Sequence, residues 1–431
     1  MRVIVEGQKN CSRAEVVLPG DKSIAHRALI IGSLPEGQYA IKNFPFSLDC
    51  MATLNCMKNL GVNIEVENKE LKVISKGYKN FNKTAGILDA KNSGTTARLI
   101  SGLISGLNIE ATLIGDESLS KRPMNRIITP LRQMGAAIEC DEDLLPLKFL
   151  RGAKLQGITY TMPVASAQVK SCVLISGFLA EDNTTVIETI PTRDHTEKMF
   201  KYLGANIKVK DNNITIVNSK ISSKDIYVPG DISSAAFLIA AALLSDNSEI
   251  IVKNVLLNEG RSKYLHVLKD MGASIEFYVD EELNCEKVGT IIARSSSLRA
   301  VNIPKELLPS IIDEVPILAV LSAFSTGTTE ICGVDELKYK ESNRINAIVD
   351  NLELCGKKVE YVDNKILIYG EDNHINKEVE INSFKDHRIA MAFMVLGVRN
   401  TKNTIINQWE CTEISFPNAI EYFKEFLNIQ A

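Results

Sequence analysis

The sequence predicts an α/β protein of two similar halves, each made of three units of roughly seventy residues. Two interleaved series of phrases and one long internal match carry that prediction. The first series is LGVNIEV from Leu60, MGAAIE from Met134, LGANIKV from Leu203, MGASIEF from Met271 and a looser LCGKKVEY from Leu354. Each sets a glycine after an apolar-periodic stretch and then alternates, as a helix closed by a C′ glycine and followed by a strand does. The glycines stand at 61, 135, 204, 272 and 356.

The second series consists of helix starts, small or polar residues before an apolar run. They are GDKSIAHRALI from Gly20, NSGTTARLISGLI from Asn92, SAQVKSCVLISGF from Ser166, GDISSAAFLIAAA from Gly230, IDEVPILAVLSAF from Ile312 and KDHRIAMAFMVLG from Lys385. Short alternating strands such as LKVIS and NITIV lie between them. Units that mix helices and strands in this way are longer than the repeats of the common helical solenoids. Copies one and four agree best: LPGDKSIAHRALIIGSL from Leu18 matches VPGDISSAAFLIAAALL from Val228. We therefore divide the chain into one half of residues 19–228 and another of 1–18 plus 229–431, so that the first short strand belongs with the later half.

Composition narrows the function. The 431 residues give ample core, and 49 basic against 53 acidic residues, without charge blocks, leave a net charge of −4. A generic nucleic-acid or membrane-surface binder needs a basic excess, which is absent. The longest apolar run, Ala235–Leu244, is too short to span a bilayer. The opening MRVIVEG does not read as a signal peptide, and nine scattered cysteines without a C-x-x-C pair read as reduced core residues. The expectation is a cytoplasmic protein.

The helix starts carry the chemistry. Lys22, His26 and Arg27 occupy the opening turns of a helix that begins near Asp21. Cations at that end oppose the helix dipole at a cost of about 0.3–1 kcal/mol each. Free N–H groups at a helix start bind phosphate or carboxylate. Asn92-Ser93-Gly94-Thr95-Thr96 with Arg98, and Ser166-Ala167-Gln168 with Lys170, offer the same chemistry, although Ser, Thr, Asn and Asp are also ordinary caps. Pro123 turns Arg122 toward extended backbone, which presents a guanidinium suited to carboxylate or phosphate, or simply a basic surface loop with Arg126. Lys340 and Arg344 stand at i and i+4, either on a solvated helix face with Glu341 or around an anion. Lys385, His387 and Arg388 crowd another helix start. Asp313 reads as an N-cap, or as a carboxylate in apolar surroundings able to act as a general base. Gly20-Asp21-Lys22-Ser23 lacks the earlier glycine of a P-loop, and His195 with Glu197 lacks a second histidine for a metal site. The residues alone reach a two-lobed α/β repeat protein that binds an anionic, phosphorylated ligand.

PGDKSIAHRALI, NSGTTARLISGL, GDESLSKRPMNRIITPLRQMGA, SAQVKS, TRDHTEKM, VPGDISSAAF, DEVPILAV, KYKESNRI and KDHRIAMAF, in that order, resemble the 5-enolpyruvylshikimate-3-phosphate synthase family over nearly the whole chain. The resemblance implies two domains of three βαβαββ units each, an inside-out α/β barrel of the enolpyruvyl transferase type, with the active site in the interdomain cleft; closure on ligand is then expected, as a hypothesis. It also implies transfer of the enolpyruvyl group of phosphoenolpyruvate to shikimate 3-phosphate, in aromatic amino acid biosynthesis. No metal or organic cofactor and a monomer are implied. Lys22, Ser23, Arg27, Ser166, Gln168, Arg193, Asp313 and Lys340 would bind shikimate 3-phosphate. Lys22, Gly94, Arg122, Gln168, Arg344 and Arg388 would bind phosphoenolpyruvate. Asp313 would be the proton acceptor, with Glu341 or Lys22 handling the methylene proton.

Three positions depart from the family pattern or divide it. Ala25 replaces a usual Ser, and Ile414 stands where many members place a phosphoenolpyruvate-binding lysine. Gly94 matches glyphosate-sensitive members, whereas GDK, SAQVK and RDHTE resemble the subclass often insensitive to it. The sister transferase acting on UDP-N-acetylglucosamine generally uses a loop cysteine near an Arg-Pro element, and GDESLSKRPMNR has none, Cys140 lying downstream. A non-catalytic phosphometabolite binder would need the anion sites without Asp313 and Glu341 together.

Overall fold

The computed structural model describes residues 1–9, 13–152 and 154–430, so Cys11 of the nine cysteines lies outside the described residues. The other eight are free thiols. Each expected helix start opens a helix: α1 (Lys22–Ile30), α2 (Gly94–Gly106), α3 (Ala167–Leu179), α4 (Ile232–Leu244), α5 (Val315–Ala323) and α6 (His387–Leu396). All five repeated glycines take left-handed φ, between 78° and 103°, where a side chain would be strained. Each ends a helix and releases the chain into the next strand.

Among the described residues the strands form six four-stranded sheets with one pattern. In the third unit, Thr159–Thr161 runs parallel to Thr184–Ile187, which pairs antiparallel with Asn213–Val217, which pairs antiparallel with Asn206–Lys210. The parallel step needs a crossover, which α3 supplies, and the last antiparallel step, between Asn206–Lys210 and Asn213–Val217, needs only the turn at Asp211. Every residue of α4, α5 and α6 is buried, so these helices present no solvent face. They pack on one another, as α1 and α3 both do with α2. Helices form each core and sheets form its outer wall.

The chain divides into two compact units, Met1–Pro19 with Gly230–Glu281 and Lys287–Ala431, and Gly20–Pro229 with Glu282–Glu286. The hairpin tip 282–286, which the sequence division left with its neighbours, groups with the other unit. Asn284 Nδ2 donates to the Tyr227 carbonyl and Glu286 bonds His195. Strand Arg13–Val17 pairs with Glu249–Leu256, and Ile226–Tyr227 with Glu36–Lys42, so the second unit is an insertion after the first 19 residues. Both Pro-Gly-Asp phrases cap helices: Asp21 accepts from Ile24 N at 3.0 Å, and Asp231 from Ser233 N at 2.7 Å and Ser234 N at 3.2 Å. A Cβ on Gly20 would lie 2.2 Å from the Asn43 carbonyl, so the first phrase requires glycine. Strand Arg2–Gln8 completes the sixth sheet, antiparallel to Thr404–Asn407 and Leu427–Gln430. No helix among the described residues is long and apolar enough to cross a membrane.

Candidate active site

The 20–229 unit gathers one set of the expected residues. Lys22 Nζ donates to Asp49 Oδ2 at 2.8 Å at the start of α1. One turn on, Arg27 is buried, donating through Nη1 to the Ser23 carbonyl (2.7 Å), through Nε to Thr196 Oγ1 (2.8 Å) and through Nη2 to Ser171 Oγ (2.6 Å). Burial lowers its pKa to about 10, with Glu197 and Asp21 acting in the opposite direction and Arg193 lowering it further. His26 is held neutral by burial and by Lys22 and Arg27, with Nδ1 2.7 Å from Thr53 Oγ1. From Thr53 a buried hydroxyl chain runs to Thr96 Oγ1 at 2.7 Å and on to Ser93 Oγ at 2.8 Å, the cap of α2. The starts of α1 and α2 are thereby tied together.

Gly94 is the first residue of α2, and a Cβ there would lie 2.9 Å from Arg98 Nη1 and 3.5 Å from Arg122 Nη1. Two guanidinium groups therefore lie beside an open backbone at a helix start, a ready anion site. Arg122 is buried, bonded to Asn92 Oδ1 at 3.0 Å and Ser118 Oγ at 3.2 Å, which corrects the basic surface-loop alternative for this residue. Arg98 Nη1 donates to Gln168 Oε1 at 2.5 Å and Gln168 Nε2 to Thr95 Oγ1 at 2.9 Å, joining α3 to α2. Ser166 caps α3, accepting from Val169 N at 3.4 Å. Arg193, partly exposed, lies in the loop before helix His195–Leu203.

The other unit brings Asp313, Lys340, Glu341, Arg344 and Arg388 into one cluster. Asp313 Oδ1 lies 3.6 Å from Arg344 Nη1 and 4.0 Å from Lys340 Nζ, and Oδ2 lies 3.8 Å from Arg388 Nη2. Arg388 Nη1 donates to the Asp313 carbonyl at 3.0 Å. Arg344 is fully buried, bonding Asp386 Oδ2 through Nε at 2.8 Å and Glu341 Oε2 through Nη2 at 2.6 Å. Burial opposes its charge, but Asp386 and Glu341 outweigh burial and push its pKa up. Its Nη1 makes no hydrogen bond among the described residues. A buried guanidinium edge beside a carboxylate with three cations within 4.0 Å can bind an anion next to a candidate base.

Two sequence expectations are corrected here. Asp313 does not cap α5: Glu314 holds that position, without a side-chain cap bond. Lys340 and Arg344 do not share a helix face, because Asn343 caps the helix that starts at Arg344, and both cations turn to Asp313. Ile414, partly buried in a short 3-10 turn (Trp409–Ile414), offers no charge, and Ala25 is buried in α1. Residues not singled out were Asp49, Asp386 and the two hydroxyls on Arg27. Asp386 alone had a local signal, as an acid one residue before a helix start. Among the described residues Asp194, His195 and Glu286 place ligand-type atoms together, yet Lys198 Nζ lies 3.3 Å from Asp194 and 3.2 Å from Glu286. That ammonium already offsets the acids.

A family model described as EPSP synthase (3-phosphoshikimate 1-carboxyvinyltransferase) matches residues 6–423. A 3-phosphoshikimate 1-carboxyvinyltransferase of Clostridium tetani is 52% identical over 99% of this chain and 97% of its own. That of Petrotoga mobilis is 42% identical over the full length of both. The EPSP synthase structure from Acinetobacter baumannii superposes with a TM-score of 0.88 at 35% identity, covering 100% of this chain and 99% of the other. The enolpyruvyl transferase NikO from Streptomyces tendae shares the fold, with a TM-score of 0.78 at 15% identity over 100% and 98%. The fold is the two-domain enolpyruvyl transferase fold, and the chain belongs to the EPSP synthase family.

Proposed function

We propose that this chain transfers the enolpyruvyl group of phosphoenolpyruvate to the 5-hydroxyl of shikimate 3-phosphate, releasing phosphate. The observation that carries the reading is the Asp313 cluster within a chain of this family: a carboxylate with Arg344 at 3.6 Å, Arg388 at 3.8 Å and Lys340 at 4.0 Å. Asp313 accepts the proton of the attacking hydroxyl, while Glu341 and Lys22 are the candidates for the phosphoenolpyruvate methylene. Elimination of phosphate from the tetrahedral intermediate reverses both transfers. Lys22, Ser23, Arg27, Ser166, Gln168, Arg193 and Lys340 hold shikimate 3-phosphate. Gly94, Arg122, Gln168, Arg344 and Arg388, with Lys22, hold phosphoenolpyruvate. With Ile414 in place of a lysine, that affinity rests on the arginines, which offset developing negative charge. The segments 19–228 and 1–18 plus 229–431 serve as the two domains, apart from the tip 282–286, which groups with the former. The enzyme works as a cytoplasmic monomer without metal or organic cofactor, so a chelator leaves turnover intact and gel filtration gives one chain.

The test mixes the purified protein with both substrates and follows inorganic phosphate, with single-substrate controls and UDP-N-acetylglucosamine as alternative acceptor. Release that requires shikimate 3-phosphate supports the proposal. Release only with the UDP-sugar moves the chain to the sister reaction, and none with either acceptor refutes the reading.

A further inference from the structure

Lys170, which the sequence offered as a cation at a helix start, is only 1% exposed in the apolar helix α3, where its partners are acids of this chain and no substrate role is assigned to it. Its Nζ lies 2.6 Å from Glu197 Oε1, 3.1 Å from Glu188 Oε2 and 3.3 Å from the Thr192 carbonyl. Both glutamates are buried. Breaking even would be a good result for such a triad, since desolvating three charges costs several kcal/mol per ion before their attraction is counted. Apolar residues of the same volume would hold a core as well. The triad therefore calls for a reason beyond stability.

Its geometry supplies one. The second oxygen of Glu188, Oε1, accepts from Thr192 N at 2.9 Å and Thr192 Oγ1 at 2.5 Å. Thr192 is the residue before Arg193, so Glu188 clamps the loop that carries this arginine. Glu197 follows Thr196, whose hydroxyl holds Arg27 Nε and itself donates to Ser171 Oγ at 2.7 Å. The groups bonded to Arg27 in this way are neutral, which leaves its charge for a ligand. Arg193 is close enough to act on Arg27 as a like charge, and Glu197 is the first opposing influence. Two cations on segments tied to one buried Lys170–Glu188–Glu197 group suit a phosphate monoester.

We propose that Glu188 is a positioning residue for the 3-phosphate of the acceptor, fixing Arg193 through Thr192 while Lys170 and Glu197 keep that loop in register with Arg27. The inference rests on the assignment of Arg27 and Arg193 to shikimate 3-phosphate under the proposed function. Steady-state kinetics of Glu188→Ala, Glu188→Gln, Thr192→Val and Arg193→Met test it, with shikimate 3-phosphate and with shikimate lacking the phosphate. Glu188→Ala is expected to raise KM for shikimate 3-phosphate about tenfold and leave KM for phosphoenolpyruvate within about twofold. The ratio of kcat/KM for the phosphorylated over the plain acceptor falls with it. Glu188→Gln, which keeps an acceptor for Thr192, restores most of the loss, and Thr192→Val reproduces a smaller part. A merely structural Glu188 would lower the unfolding temperature without moving that ratio, and this outcome overturns the proposal. Should Glu188→Ala not fold, an unmoved ratio in Thr192→Val does the same. An Arg193→Met enzyme with unchanged KM overturns the underlying assignment instead, and the positioning role with it.

Discussion

Replacing Arg344 by Met removes the cation that Asp386, Glu341 and Asp313 share. Asp386 is fully buried and receives the guanidinium at 2.8 and 3.3 Å, with Ser342 Oγ at 3.1 Å and Arg388 N at 2.9 Å as its neutral donors. Without Arg344 the neutral donors remain, but a buried carboxylate loses its counter-charge, at a cost of about 3–5 kcal/mol. For domains of about 200 residues, 1 kcal/mol moves Tm by about 2–4 °C, so the expected fall is about 6–20 °C. Met roughly keeps the volume, so little of this comes from a cavity. Calorimetry without ligand reads the shift, and Asp386→Asn alone and combined with Arg344→Met completes a cycle. The double variant should lose less than the two singles together, by about 1–3 kcal/mol. A single change that moves Tm by less than about 2 °C, or costs that simply add, would refute a buried pair as the frame of this cluster.

Asp313→Asn should lower kcat about 10²–10⁴-fold while ligand binding by calorimetry persists, as loss of a general base requires. Gly94→Ala places a methyl against Arg98 and Arg122, so KM for phosphoenolpyruvate should rise about tenfold with no loss of Tm, alanine being the better helix former. Burial lowers the Lys357 pKa from 10.5 to about 8, so the folded state sheds this proton before the unfolded chain does. Stability should therefore rise with pH between about 8 and 10.5 relative to Lys357→Met in urea titrations, and parallel curves would count against it. His26 is buried neutral, so below pH 6.5 the unfolded chain gains a proton that the fold refuses. Stability should fall with acidification less steeply in His26→Gln, measured the same way.

Which features were legible follows from what each residue does locally. A glycine at C′ advertises a left-handed turn that other residues rarely adopt, so Gly61, Gly135, Gly204, Gly272 and Gly356 marked five helix ends. Lys22, His26 and Arg27 were visible because they contradict the helix dipole. Their partners were not. Asp49 and Thr196 have ordinary roles as a first-turn acid and a helix hydroxyl, and only folding brings Thr196 to Arg27 across 169 positions and Ser171 across 144. By type Asp313 is the better cap, yet the helix starts one residue later than that, with Glu314 at the cap position and no side-chain cap bond. The i, i+4 reading of Lys340 and Arg344 assumed a continuous helix, which Asn343 prevents by capping. The hairpin tip at 282–286 grouped with the other unit because Asn284 and Glu286 find partners there, at Tyr227 and His195.

Among the described residues the strand Arg2–Gln8 pairs only with segments that begin at Thr404 and Leu427. During synthesis it therefore waits for about 400 further residues, about 20–80 s at 5–20 residues per second. The inserted unit, by contrast, has nearly all its partners once Pro229 has left the ribosome. Nascent chains should thus carry a folded insertion beside an unpaired apolar strand, the segment on which a holding chaperone would act.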